Sequence, residues 1–289
     1  MRTPGWRRHL PLILLLLAVA PLSAWGKKGH RTVAELALKA LPPEPRAWYA
    51  GLEAAVAEHA SDPDHWKTDR KEGPRHYMNL EAFGGPGHLP RTLEAAREQA
   101  GADYYRKGVV PWIIQDRWQD LVVAFRQGDA GKVAFSTAIL GHYLADAHTP
   151  LHTTLDHDGK TTDQTGIHSR WESGLVERYL DASTLTVPAA KANPALLDQP
   201  WEWLRAAHAL VPQLLEDDRA ADRTSPSDRR GKSRTPAYWA IFWDRQGPVV
   251  TQQLQSAAQH LGDAILSAWI TAGKPALPTK PLPSVDPRP

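Results

Sequence analysis

The sequence predicts an all-α fold, a single compact multi-helix domain, and three observations carry that reading. Apolar residues recur at three- and four-residue intervals along most of the chain, alternating β-branched runs are scarce, and no Gly/Ser-rich linker divides it. Val33, Leu36, Ala37, Ala40 and Leu41 make a first helical stripe, closed by Pro42 and Pro43. Trp48, Leu52, Ala55, Val56 and His59 make a second, and Ile114, Trp118, Leu121, Val122 and Phe125 a third. Helix-spaced apolar residues continue over 133–147 with a stop at Pro150, and further helices are expected over 201–215 and 249–270. The Asp-, Gly- and Thr-rich stretch 156–165 reads as a surface loop, and the charge-dense stretch 217–234 as another.

The two ends stand apart from this domain. Arg2, Arg7 and Arg8 precede an apolar run over 10–20, with Ser23 and Ala24 behind it. That is the form of a signal peptide over residues 1–24, so an exported protein, periplasmic or secreted, is expected to begin at Trp25. No later segment approaches the roughly 20 apolar residues of a spanning helix, and no transmembrane anchor is expected. The helical domain is expected over 25–272 and a Pro-rich disordered tail over 273–289.

The chain has no cysteine, so outside the cell its stability must come from burial, and from metal if metal is bound. Its 12 tryptophans suit that need. The 34 basic and 32 acidic residues nearly balance, and no basic stripe marks a nucleic-acid surface. Attraction for an anionic substrate would have to come from charges outside the side-chain count, such as bound cations.

His142 and Asp146 stand four apart on a predicted helix and so share a face, with His152 just past the Pro150 break. One such pair is more often a surface hydrogen bond than a metal site. His168 and Glu172 repeat the interval, and the intervening Gly-containing loop could fold His168 back beside His152. Metal ligation and plain hydrogen bonding both remain open on spacing alone. Cleavage after Ala24 would add an α-amine on Trp25, five residues before His30. With an unperturbed pKa of about 7.7–8.0, that amine yields its proton to a metal more readily than a lysine does. Trp25 could equally be an ordinary core aromatic.

At these residues the sequence resembles the superfamily that joins bacterial zinc-dependent phospholipases C with the single-strand-specific S1/P1 nucleases. The marks are Trp25-Gly-Lys-Lys-Gly-His30, Ala60-Ser61-Asp62, Arg75-His76-Tyr77, His142-Tyr-Leu-Ala-Asp146-Ala-His-Thr-Pro-Leu-His152 and Gly166-Ile-His168-Ser-Arg-Trp-Glu172. Beyond Glu172 only helicity is shared. The resemblance implies nine ligands for three zinc ions: Asp62, His76, His142 and Asp146 on one, Trp25 and His30 with a bridging Asp146 on a second, His152, His168 and Glu172 on a third. It implies that Asp62 orients or deprotonates the attacking water and that the third zinc stabilises the leaving oxygen. Asp64 is the rival to Asp62; the position after Ala60-Ser61 and the fourteen-residue interval to His76 favour Asp62. His148 is expected to support a ligand by hydrogen bonding. The remaining histidines are expected to be ordinary surface or core residues, and tryptophans such as Trp112, Trp118, Trp201, Trp203, Trp239 and Trp243 core.

The resemblance leaves the phosphate ester to be chosen. Tyr77 stands where the nucleases carry a base-stacking aromatic, and Asn79 where they carry an Asp on the base edge. Glu172 and the interval from Asp62 to His76 look like the phospholipases, but Lys28 and Pro63 replace the acid and tyrosine of a choline cage. The nuclease arginine three residues after the metal-binding aspartate is here His65. The expectation is a secreted zinc-dependent phosphodiesterase, favoured as a single-strand nuclease and 3′-nucleotidase. The alternatives are a phospholipase C acting on phospholipid head groups, and a non-catalytic zinc-binding protein. Single-stranded nucleic acid or nucleotides are the expected partners, with no stable protein partner.

Overall fold

The computed structural model describes residues 25–66, 68–225 and 234–278, and among these there is no β-strand. The expected leader over 1–24 lies outside the described residues.

The first stripe forms α1 (Gly26–Ala40), which ends where Pro42 and Pro43 can no longer donate backbone N–H groups. A short α2 (Pro43–Arg46) leads into a 3-10 turn, Ala47–Tyr49, and α3 (Glu53–His59), so the second stripe is broken rather than continuous. Three 3-10 turns, Asp62–His65, Gly73–His76 and Leu80–Phe83, lie between α3 and α4 (Leu93–Ala100). The third stripe forms α5 (Val110–Gln127). Asp129 caps α6 (Ala130–Asp146), its Oδ1 accepting from the Lys132 amide at 3.0 Å. A 3-10 turn, Pro150–Thr153, follows, then turns over 154–166 as expected of the Asp/Gly/Thr-rich loop. The next helical stretch comprises α7 (Ile167–Ser169), a π turn (Arg170–Leu175) and α8 (Val176–Tyr179).

The C-terminal half departs from expectation in three places. The stretch 201–215 is two helices, α9 (Gln199–His208) and α10 (Val211–Thr224), separated just before Pro212. The charge-dense stretch from 217 is helical as far as Thr224, and its first two residues, Asp217 and Asp218, are buried in ion pairs instead of exposed on a loop. The last helix, α11 (Pro236–Thr271), starts well before the expected 249 and carries Pro248 in its interior. Trp269 Nε1 donates to the Pro275 carbonyl at 3.0 Å, so the first residues of the expected disordered tail lie against the end of α11; 279–289 lie outside the described residues.

α6 is the axis of the molecule. From Thr137 to Asp146 it is buried, packed by α5, α3, α11 and α1, while α1 lies along α11. At Gly141, next to His142, a Cβ would come within 2.8 Å of a Leu261 methyl group on α11, so a larger residue there would require that side chain to shift. The tryptophans extend the core and knit it with indole hydrogen bonds: Trp25 to the Ala145 carbonyl (2.8 Å), Trp118 to Ala264 (3.0 Å) and Trp201 to Pro90 (2.7 Å). Trp112, Trp201 and Trp203 are buried as expected, whereas Trp239 and Trp243 are only partly so.

Candidate metal centre

The ligand candidates come from six places in the chain. α6 presents His142 and Asp146 one turn apart at its C-terminal end. His152 sits in the following 3-10 turn, His30 in the second turn of α1, His76 at the end of the turn Gly73–His76, and His168 and Glu172 across α7 and the π turn. A π turn is uncommon and tends to mark functional sites.

These side chains, with Asp64 from a sixth place, the 3-10 turn Asp62–His65, form three adjoining groups: His30, His142 and Asp146; Asp64, His76 and His142; His152, His168 and Glu172. Asp146 joins the first two. Its Oδ1 lies 3.7 Å from His30 Nε2, and its Oδ2 lies 2.9 Å from His76 Nδ1 and 3.3 Å from His142 Nε2. Glu172 Oε2 lies 2.8 Å from His168 Nε2 and 3.5 Å from His152 Nε2.

Asp64, and not Asp62, completes the second group. Asp64 Oδ1 is 3.8 Å from His142 Nε2 and 4.0 Å from His76 Nδ1, while Asp62 Oδ2 is taken by His59 Nδ1 at 2.8 Å. The Asp64 side chain is 4 % exposed and that of Asp62 28 %. Both belong to the 3-10 turn Asp62–His65, where residues two apart point about 120° away from each other. One aspartate can face the cluster only if the other faces out. The interval from the clustered aspartate to His76 is therefore twelve residues, and three residues past it stands Lys67 rather than His65.

The donor set fits a metal cation by a direct test. Both nitrogens of His30 and of His168, Asp146 Oδ1 and Glu172 Oε2 are buried without a hydrogen-bond partner, a costly state for polar atoms unless something else binds them. His168 Nε2 and Glu172 Oε2 are close enough to bond but are not aligned with one another; both point at common space. Electrostatics agree. Burial and the neighbouring Asp146 push Asp64 up to about 8, as expected of carboxylates gathered where a cation belongs. Burial holds His30 down at about 4, hence neutral and able to ligate. Burial alone would raise Asp146, but His142, His152 and His76 outweigh it and keep this carboxylate ionised.

Three of the histidine rings are aimed by hydrogen bonds from their outer nitrogens, the usual support of metal-binding imidazoles. His142 Nδ1 donates to the Ala60 carbonyl (2.9 Å) and His152 Nδ1 to that of His76 (2.7 Å). His76 Nε2 donates to Glu72 Oε1 (3.1 Å), which also accepts from Tyr143 OH (2.6 Å), while Arg75 Nη1 holds Oε2 (2.7 Å). Sequence reasoning missed Glu72, although it precedes His76 by the same four-residue interval that marked the other pairs. His148 plays no such part. Its Nδ1 donates to the Leu144 carbonyl, its Nε2 meets His260 Nδ1 at 2.8 Å, and its ring lies against Trp203, on the side facing α11.

Trp25 reaches the site through its indole, which donates to the carbonyl preceding Asp146 and packs on Trp171 with centroids 5.0 Å apart. A cavity of about 480 Å³ opens over the cluster, lined by Asp64, His76, His152 and His168 together with Tyr77, Asn79, Trp66 and His157. Gly108 (φ 102°) shapes this wall: a Cβ there would fall 2.1 Å from the Tyr77 carbonyl. The neighbouring Lys107 carbonyl accepts from the Asn79 amide at 2.8 Å. Trp66 was not singled out by sequence, and His157, expected to be an ordinary surface or core histidine, lines the cavity. Lys28 is absent from the lining, its Nζ donating to the Val176 carbonyl at 3.0 Å.

The family model for S1/P1 nuclease matches residues 25–269. The chain belongs to the S1/P1 nuclease family. Comparison with curated proteins gave no match. The family match begins at Trp25 and runs into α11, so the likeness extends well past Glu172, where motifs alone had left only helicity. S1/P1 nucleases are metal-dependent phosphodiester hydrolases, and this chain is an enzyme of that class.

Proposed function

We propose that this S1/P1-family enzyme is an exported, zinc-dependent single-strand nuclease and 3′-nucleotidase holding three zinc ions. Asp64, His76, His142 and Asp146 would hold one, the Trp25 amine and carbonyl with His30 and Asp146 a second, and His152, His168 and Glu172 the third. Nitrogen and carboxylate donors without thiolate suit catalytic zinc, and the opposite orientations of the two Asp146 oxygens suit a bridge. Bound zinc would supply cationic charge for phosphate and a water of lowered pKa. Asp64, which faces the cavity, holds the attacking water and accepts its proton at the carboxylate. Tyr77 stacks on a base and Asn79 bonds its edge.

The observation that carries the nuclease reading is that Tyr77 and Asn79 open onto the same cavity as Asp64, His76, His152 and His168. One feature that pointed to phospholipid, the fourteen-residue interval, belonged to Asp62 and does not describe the clustered aspartate. Glu172 still favours the phospholipase reading.

The test is turnover of single-stranded DNA, RNA, a 3′-nucleotide and phosphatidylcholine by one purified sample beginning at Trp25, with its zinc counted. Close to three ions and preference for the nucleic acids are expected, with Tyr77→Ala weakening substrate binding by about 1 to 3 kcal/mol and leaving zinc unchanged. Efficient lecithin hydrolysis with negligible action on single strands would move the substrate to phospholipid. A methionine placed before Trp25 should cost activity and zinc together; full retention of both would remove the amine from the ligand set.

A further inference from the structure

His168 and Glu172 differ from His76, His142 and His152 in what aims them. His76, His142 and His152 each have an outer nitrogen hydrogen-bonded within the protein, whereas neither nitrogen of His168 has any partner. Their directions are set by the backbone that carries them, which passes from α7 into the π turn, a rare form that persists where its surroundings impose it.

The surroundings that impose it come from the C-terminal helices, which supply no ligand. Arg170 lies between the two ligands in sequence, and its guanidinium is fastened to α10, α11 and the preceding loop. Nε donates to Asp218 Oδ1 (3.2 Å) and to Tyr238 OH (3.1 Å), and Nη2 to both Asp218 oxygens (3.1 Å each). Nη1 reaches the Thr165 carbonyl (2.8 Å), and Nη2 also that of Gln164 (3.0 Å), so the end of the preceding loop is held as well. The Asp218 side chain is buried in α10 and accepts further from Gln164 Nε2 (2.7 Å) and from Tyr238 OH on α11. The next residue repeats the arrangement. Trp171 Nε1 donates to Gln246 Oε1 (2.9 Å), and Gln246 Nε2 donates to Asp217 Oδ2 (2.7 Å).

We propose that Asp218 and Tyr238, acting through Arg170, are positioning residues that hold the π turn in register and thereby set the metal affinity of the His152–His168–Glu172 group. The proposal rests on reading that group as a zinc site. An Arg–carboxylate pair with two parallel contacts fixes orientation as well as position, which a turn carrying two otherwise unsupported ligands needs. The same pair could instead serve only to join α10 to the π turn, and the two roles differ in what happens to bound metal.

The experiment counts zinc by elemental analysis and follows its release to a chelator in the parent, Asp218→Asn and Tyr238→Phe, beside Leu254→Ala. Leu254 is buried in α11 away from these contacts and provides a loss of Tm without loss of the clamp. Asp218→Asn is expected to lose one ion, or to release one about tenfold to a hundredfold more readily, with the other ions held as in the parent. Tyr238→Phe should move the same way by a smaller factor, and it decides the matter if Asp218→Asn does not fold. Leu254→Ala should melt earlier with its zinc retained. Parent-like zinc content and release in both clamp variants, whatever their Tm, would overturn the proposal. A parent enzyme that binds no zinc at all would instead overturn the metal reading on which it stands.

Discussion

Asp64→Asn is expected to abolish hydrolysis and reduce bound zinc, while Asp62→Asn leaves both near the parent values, checked by turnover and metal content side by side. The reason is direction: Asp64 Oδ1 faces His76 and His142, and Asp62 is spent on His59. The opposite ranking would return both duties to Asp62. Glu72 is the second residue on which the site turns, because its carboxylate receives His76, Tyr143 and Arg75 together. Glu72→Gln keeps the shape but replaces a charged acceptor with a neutral one, and zinc affinity is expected to fall about tenfold to a hundredfold. Competition with a chelator reads that directly; an unchanged affinity would reduce Glu72 to a packing residue.

At the scale of elements, the short turns fix the geometry as firmly as the long helices do. Gly108→Ala is expected to weaken nucleotide binding while zinc content stays near the parent value, since the added Cβ would strike the Tyr77 carbonyl from a backbone conformation that alanine resists. Measuring KM alongside metal content separates this from a general loss of fold. The contrast also explains what could be read from sequence. His142/Asp146 and His168/Glu172 were legible because the four-residue interval carries over to a helical face, even though a π turn underlies the second pair. The choice between Asp62 and Asp64 was not, because a 3-10 turn reverses which of two near neighbours faces inward, and the turn announces itself only through Pro63. α11 was expected only from 249, yet it begins at Pro236 and tertiary packing carries it through Pro248, a residue that breaks most helices. Asp217 and Asp218 looked like loop charges because their partners, Arg170, Tyr238 and Gln246, lie far away in sequence.

At the scale of the whole molecule, zinc removal is expected to destabilise the fold, and more strongly at pH 8 than at pH 6.5. Without the ions, burial and Asp146 raise Asp64 from 3.8 to about 8, and carboxylate hydrogen bonds raise His76 from 6.5 to about 10 against the opposing effect of burial. A raised folded-state pKa means that the folded chain holds a proton the unfolded chain has released, so both groups lose stabilising free energy as pH rises through this window. His30, which burial lowers to about 4, acts only below about 6.5 and does not offset them there. Thermal melts of chelated and zinc-loaded protein at the two pH values check this; a chelated protein more stable at pH 8 would contradict it.

The pairing of α1 with α11 joins helices from opposite ends of the described chain. Contacts so distant in sequence form late, because the loop they close must be ordered before they repay it. A growing chain therefore possesses the residues of the cluster long before it possesses the wall against which α1, with His30, is laid down. Assembly is expected to be all-or-none in time: a chain ended after Tyr179 keeps all the ligand side chains but lacks the partner that docks its first helix. It should bind zinc weakly, if at all, and remain open to proteolysis, whereas supplying the missing segment in trans should restore protection together with metal. Hydrolytic capacity would thus appear only when the last helix has joined the first.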